Sequence, residues 1–225
     1  MSLAERRVEA LFRHDARGRL VEINQWDGGV APRFWLMRTP ERAIARFRQD
    51  VPDDLAARLT ELCAGERLGD PPPERPAHER EYLDGLGPME RVWAGPAFTF
   101  PDDLSAAAPT VAIDEAKAGF LCDGFEHWLA DVPHRRPFLA VIEERRAVAI
   151  CASVRISRDV HCAGVETLPG CRGRGRGSAA VAAWARAVRD LGAAPFYSTS
   201  WDNLASRGLA RRLGLRLFGV DFHIT

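Results

Sequence analysis

Thr167-Leu168-Pro169-Gly170-Cys171-Arg172-Gly173-Arg174-Gly175-Arg176-Gly177-Ser178 is the stretch on which the reading of this chain turns. Before it, Val160 to Leu168 reads as an apolar strand. After it, Ser178 to Leu191 carries Val181, Trp184, Val188 and Leu191 at helical spacing. A glycine-rich link between strand and helix lets successive backbone N–H groups converge without side-chain obstruction. The helix that follows adds the positive end of its dipole, so the turn reads as a cradle for a pyrophosphate. Two familiar phosphate signatures are not met: there is no G-x-x-x-x-G-K-[ST], and Gly175-x-Gly177 is followed by Ala180 where G-x-G-x-x-G needs glycine. The spacing is R-x-x-G-x-G, through Arg172, Gly175 and Gly177.

Outward from the turn, the pattern is β-β-β-α-β-α-β. Phe138 to Ile142 and Ala147 to Ile156 flank the charged turn Glu143-Glu144-Arg145-Arg146 and read as an antiparallel hairpin, with Val160 to Leu168 as a third strand. Gly192 ends the helix. Ala194 to Ser200 is a further strand, Leu204 to Leu213 a helix stopped by Gly214, and Leu215 to Ile224 a last strand. Upstream, Arg91 to Phe100 reads as a strand and Ala116 to Leu129 as a helix.

The first part of the chain is read more coarsely. After a short helical lead-in, Gly18 to Trp26 and Arg33 to Met37 flank a glycine turn and read as a hairpin. Thr39-Pro40-Glu41 reads as a capped helix start, with Ala43, Ile44, Phe47 and Val51 as its apolar stripe, and a second helix follows from Asp53 to Cys63. Gly65 to Pro88, with Pro71-Pro72-Pro73 and Pro76, reads as a proline-rich linker. The expected domains are therefore residues 1–88, a small α/β domain ending in that linker, and residues 89–225.

Composition narrows the function. The 225 residues, 46% hydrophobic, can bury a substantial core without disulfides or metals. Lysine plus arginine and aspartate plus glutamate number 31 each, so no broad attraction to nucleic acid or anionic membrane is built in. Lys117 is the only lysine, which reads as a base-composition bias. Cys63, Cys122, Cys151, Cys162 and Cys171 form no C-x-x-C pair or Cys/His ligand spacing, which fits a reducing cytoplasm and no metal site. Met1 to Phe12 carries charges throughout, unlike a signal peptide, and no apolar run is long enough to span a bilayer.

The motif Arg172, Gly175, Gly177 after an apolar strand and a proline resembles the coenzyme A motif of the GNAT superfamily of acyl-CoA-dependent N-acyltransferases. The resemblance covers about residues 110 to 225. Downstream, Asn203-Leu204-Ala205-Ser206 leading to Arg212-Leu213-Gly214-Leu215 is similar to the family's second cofactor segment, with Leu215 where an aromatic usually stands. The resemblance implies a mixed, largely antiparallel central sheet flanked by helices, an α/β (α+β) fold with the small N-terminal α/β domain added. It implies acetyl-CoA as co-substrate, bound by Val165, Thr167, Leu168, Arg172, Gly173, Arg174, Gly175, Arg176, Gly177, Ser178, Asn203 and Ser206. Backbone groups of Val165, Glu166 and Thr167 would hold the thioester carbonyl.

Aminolysis of a thioester needs an uncharged amine, hence a base, and the leaving thiolate benefits from an acid. The family's usual glutamate position falls on His161, and Glu166 lies lower on the same strand; both are candidate bases. The family's usual tyrosine position falls on Ala210, and Tyr197 is the candidate replacement. The remaining histidines, His14, His78, His127, His134 and His223, share no ligand spacing and read as surface or satisfied residues. Cys171 adjoins a helix start but lacks a paired base. The expected activity is acetyl transfer to a primary amine of a small-molecule or peptide acceptor in a ternary complex, with no nucleic acid or membrane partner. The N-terminal domain would cover the acceptor pocket or mediate a homodimer. Two other classes compete: a non-catalytic acyl-CoA-binding or regulatory protein, and an Arg-Gly nucleic-acid-binding module, which predicts steeply salt-dependent binding.

Overall fold

The computed structural model describes residues 1–104 and 108–225. The chain divides into two compact units. The first comprises Met1–Phe98, Ser198–Arg207 and Leu217–Thr225, and the second comprises Thr99–Tyr197 and Gly208–Arg216.

The first unit opens with α1 (Leu3–Leu11), held at its start by a capping box between Ser2 and Glu5. Then come β1 (Phe12–His14), β2 (Leu20–Ile23), β3 (Phe34–Arg38), β4 (Ala43–Phe47), α2 (Asp53–Ala64), α3 (Glu79–Leu86) and β5 (Val92–Thr99). The C-terminal β11 (Arg216–Ile224) returns to pair with β3, antiparallel, Phe222 opposite Leu36. The strand order is β4-β3-β11-β5. One apolar cluster lies between this sheet and α2 and α3, with Phe34, Leu59, Tyr82 and Phe222 at its centre. A second gathers Val8, Phe12, Leu20, Trp35 and Met37. Arg7 on α1 forms a bidentate pair with Asp221 on β11, at 2.9 and 2.6 Å, where both residues are buried.

Three expectations fail here. Ala43 to Val51 is not a helix but largely the strand β4, because Thr39-Pro40-Glu41-Arg42 makes a turn rather than a helix start. The Thr39 hydroxyl accepts the N–H of Arg42 at 3.2 Å, the Thr39 N–H donates to the Arg42 carbonyl at 2.8 Å, and Met37 pairs with Ile44. The segments around Leu20 and Phe34 are strands but not one hairpin: β2 pairs with β1, and β3 lies between β4 and β11. The proline-rich segment is not a loose linker. It carries α3, and the buried Glu66 carboxylate gathers it by accepting the N–H groups of Ala77 at 2.9 Å and His78 at 3.1 Å and the Tyr82 hydroxyl at 2.8 Å.

The second unit holds β6 (Val111–Ala112), β7 (Phe138–Glu143), β8 (Arg146–Ile156), β9 (Val160–Thr167), α4 (Arg176–Asp190) and β10 (Ala194–Ser198), in strand order β10-β9-β8-β7-β6. α5 runs over Leu204–Arg212. The β7–β8 hairpin turns at Glu144 and Arg145, both with positive φ. α4 is buried along much of its length, through Ala180, Val181, Trp184 and Val188, against the face formed by β7, β8 and β9. The helix expected over Ala116 to Leu129 is instead two 3-10 segments, Glu115–Leu121 and Glu126–Asp131, because Asp123 at φ 74° and Gly124 at φ 133° break it. These segments pack Leu121, Phe125 and Trp128 onto Phe138, Ile150 and Ala152. The fold is thus mixed α/β, with largely antiparallel strands flanked by helices. Among the described residues, no helix is long and apolar enough to cross a membrane.

Candidate active site

The glycine turn takes the shape its residues dictate. β9 ends at Thr167, a short 3-10 turn covers Pro169–Cys171, and α4 begins at Arg176. Between them Gly173 and Gly175 adopt φ of 75° and 79°, a region costly for side-chain-bearing residues. Arg172 Nε donates to the Thr167 carbonyl at 3.2 Å. Arg176 Nη1 donates to the Arg174 carbonyl at 3.0 Å, while its Nε bonds Glu143 at 2.8 Å. Two of the three arginines therefore help to fold the loop, and exposed Arg174 completes a cationic rim.

The start of α4 is open. No side chain caps it, its first turn carries no acid, and Ala179 makes the bond back to the Gly175 carbonyl at 3.0 Å. The N–H groups ahead of Ala179 lie in the turn that no intrahelical acceptor serves, at the positive end of a 15-residue helix. Gly177 matters by closeness: a β-carbon there would stand 2.8 Å from Thr167 Oγ1 and 3.9 Å from Val165 Cγ2, so the first helical turn lies against the end of β9. A backbone lined with glycine, donors and cationic side chains suits a pyrophosphate.

Beside this cradle, β9 is paired on one side only. Against β8 it runs in register from Ile156↔His161 to Ala149↔Thr167. Against β10 the parallel register comprises Val160↔Ala194, His161↔Pro195 and Cys162↔Phe196. Among the described residues of this unit, Ala163 to Thr167 have no strand partner on the β10 side. Backbone donors and acceptors of a strand that is paired on one side are available to an extended ligand.

The alternation of β9 separates the two candidate bases. His161, Val165 and Thr167 face α4. The His161 ring is buried, its Nδ1 lies 2.9 Å from the Ser153 hydroxyl, and that oxygen also accepts the Trp184 indole N–H at 3.0 Å. Burial lowers the His161 pKa from its ordinary value. Gly164 and Glu166 face the other way, toward the Glu126–Asp131 segment. Glu166 Oε2 accepts the Trp128 indole N–H at 2.8 Å and meets His127 Nε2 at 2.9 Å, with the Glu166 side chain 38% exposed. Gly164 keeps this face clear for Val154 and the indole, because a β-carbon there would lie 2.3 Å from Val154 Cγ1 and 3.2 Å from Trp128 Cη2.

The other candidates are dispersed. Tyr197 is 1% exposed on β10, and Ala210, where the family's tyrosine is expected, is equally buried on α5. Asn203 caps α5 by accepting the Ser206 N–H at 3.0 Å, its ordinary structural role. Leu168 donates its N–H to the Val148 carbonyl at 3.0 Å, and its side chain lies against Gly124. The sequence reads His127 as a surface or satisfied residue and Trp128 as an apolar residue of a helix, and brings neither to the site. The one local sign was Gly164, a glycine inside a strand two residues before Glu166, which marks a close approach.

No curated protein matches this chain significantly. Among solved structures, it is similar to an acetyltransferase from the GNAT family of Colwellia psychrerythraea, at 13% identity and a TM-score of 0.48, covering 66% of this chain and 63% of that one. It is similar to a GCN5-related N-acetyltransferase-like protein from Streptococcus suis 89/1591, at 17% identity and a TM-score of 0.49, with both chains covered in full. A GCN5-related N-acetyltransferase from Kribbella flavida is 20% identical, with a TM-score of 0.46, 64% of this chain and 62% of that one being covered. The chain thus spans less than two thirds of the Colwellia and Kribbella proteins. The sequence profile of the acetyltransferase (GNAT) family matches residues 101–215, from the end of β5 to the turn after α5, so this chain belongs to the GNAT acetyltransferase family.

Proposed function

We propose that the protein transfers an acetyl group from acetyl-CoA to a primary amine of a small-molecule or peptide acceptor, by direct attack in a ternary complex. The observation that carries this reading is the uncapped start of α4 behind two left-handed glycines, next to a β9 whose end has no β10 partner. Backbone N–H groups from Gly173 to Ser178 would hold the pyrophosphate, with Arg172 and Arg174 adding charge. The free side of β9 would take the amide groups of the pantetheine arm and the thioester carbonyl through Val165 and the Thr167 N–H; the backbone groups of Glu166, like the Leu168 N–H that bonds the Val148 carbonyl, turn to β8. Bound acetyl-CoA supplies an activated acyl thioester. Glu166, exposed and facing away from α4, is the better placed base: it takes a proton from the acceptor's ammonium, so that the amine can form the new N–C bond as the C–S bond breaks. Tyr197 on β10 is the proposed donor of a proton to the departing thiolate. Asn203 and Ser206 enter the cofactor set through the family resemblance.

One observation favours a second reading. The buried methyl of Ala210 stands where the family's tyrosine is expected, as it would in a protein that binds acyl-CoA without turning it over.

Calorimetric titration of acetyl-CoA into the wild-type protein and into an Arg172→Ala, Gly175→Trp variant tests the site. Binding that is lost in the variant supports the cradle; no binding to the wild type defeats both readings. Thiol release from acetyl-CoA over a panel of primary amines then separates the enzyme from the binder.

A further inference from the structure

Glu166 does not stand alone. Its Oε2 is held twice from one 3-10 segment, by the Trp128 indole N–H at 2.8 Å and by His127 Nε2 at 2.9 Å. That segment is itself fixed, because the Glu126 carboxylate accepts the N–H groups of Asp123 at 2.7 Å and Gly124 at 3.0 Å. An ionised carboxylate only accepts hydrogen bonds, so His127 Nε2 carries the proton in this pair. Both donors converge on Oε2, and among the described residues Oε1 has no hydrogen-bond partner. Both side chains reach solvent, His127 at 61% and Glu166 at 38% exposure. The other charged groups beside the imidazole's segment are Glu126, next in sequence, Asp131 at the segment's end, and Arg135, which pairs with Asp131 at 2.9 Å and whose guanidinium lies 5.1 Å from the Trp128 ring centroid.

We propose that His127 is a positioning residue for acyl transfer: together with Trp128 it clamps Oε2 and so fixes the direction in which Oε1 is presented to the acceptor's ammonium. The inference rests on the proposed function. A carboxylate held by a single donor rotates about its Cγ–Cδ bond and offers either oxygen, whereas one held by two donors on the same oxygen offers the other. The imidazole does not receive the reacting proton, and its work is orientation. The exposed position of His127 separates this role from stability, because removing its ring opens no cavity.

The test uses the full-length protein and two readouts. The first is NMR of the isotope-labelled His127 ring at one fixed pH, in wild type and in Glu166→Ala with acetyl-CoA absent, which reads how fast the Nε2 proton exchanges with solvent. Loss of the carboxylate is expected to speed that exchange severalfold, because the proton loses its hydrogen-bond acceptor. An unchanged exchange rate overturns the pairing. The second is steady-state acetyl transfer by His127→Ala and His127→Gln, using any amine that the wild type acetylates. His127→Ala is expected to lose about tenfold in kcat with the KM for acetyl-CoA unchanged, the cost of a misdirected group. His127→Gln, which keeps an N–H donor, is expected to recover most of that loss. Wild-type kcat in His127→Ala, or no recovery in His127→Gln, overturns the positioning role. A wild type that turns over no amine while Glu166 still slows the exchange defeats the proposed function and this role with it. Exchange that does not depend on Glu166, with turnover intact, defeats this inference alone.

Discussion

Gly177, in the first turn of α4, approaches the end of β9 so closely that a β-carbon on it would stand 2.8 Å from Oγ1 of Thr167. Alanine is the better helix former at an ordinary position, yet here the gain meets a short side chain on a paired strand, which cannot move aside. Gly177→Val is therefore expected to destabilise the protein by about 1–3 kcal/mol through overpacking. The added bulk would also lift the helix start from the strand and weaken acetyl-CoA binding. Denaturant unfolding and calorimetry check the two effects. Thr167→Ala combined with Gly177→Ala should restore stability relative to Gly177→Ala alone; a double variant no better than the single one would mean that the contact is not the cause.

The cysteines should separate by place. Cys63 and Cys151 are buried, and burial raises the Cys63 pKa to about 11 and that of Cys151 well above its ordinary value. Cys122 is exposed and Cys171 half-buried in the turn that precedes α4. Alkylation of the native protein at pH 8 followed by peptide mass spectrometry should label Cys122 and Cys171 and spare Cys63, Cys151 and Cys162, which is also buried. Saturating acetyl-CoA should slow Cys171 and leave Cys122 unaffected. Equal protection of both, or of neither, would count against the cradle.

His161 gives a signed dependence on pH. Its folded pKa lies below the ordinary 6.5, so the unfolded chain binds the proton more readily. Its contribution is fully present above about pH 6.5 and is lost as the pH falls through the folded value. His14 and His223 are also lowered, burial being the largest cause in each case, and act in the same direction. Unfolding free energies measured from pH 7.5 to 5 should fall toward acid, and His161→Gln should flatten part of that slope. An unchanged slope would show that the ring is not held neutral by its surroundings.

Tyr82→Phe removes a hydroxyl that bonds Glu66 Oε1 at 2.8 Å inside the first unit, where Arg38 Nη1 is 3.9 Å from the other carboxylate oxygen. Leaving a buried carboxylate short of a donor costs about 1–3 kcal/mol. Urea unfolding measures the loss. A variant as stable as wild type would mean that Ala77 and His78 suffice to satisfy Glu66.

What could be read in the sequence was local chemistry. The strand, turn and helix around Arg172 to Ser178 were legible because glycine conformations, an amphipathic period and an apolar strand each announce themselves within a few residues. The β7–β8 hairpin was legible for the same reason, through its charged turn. Thr39-Pro40 misled because the same hydroxyl and the same fixed φ serve a helix start or a tight turn, and only the pairing of β4 with β3 decides between them. Residues 65–88 looked loose because Glu66 gathers them across separations of 11 to 16 residues. The partners of Glu166 lie 38 and 39 residues upstream on a segment read as one helix, so nothing near Glu166 in the chain could announce them.

The alternation of β9 has a consequence for how the family site can change over generations. Odd-numbered His161, Val165 and Thr167 belong to the helix side, and even-numbered Gly164 and Glu166 to the side of Trp128. The two sides can drift independently by substitution, because a new residue keeps its parity. Insertion or deletion of a single residue between Cys162 and Glu166 cannot be absorbed in that way. It would exchange the two sides at a stroke, turning a carboxylate into the core under α4 and an apolar side chain toward the indole. Along this strand, the length of the chain is a heritable constraint stricter than the identity of most of its residues.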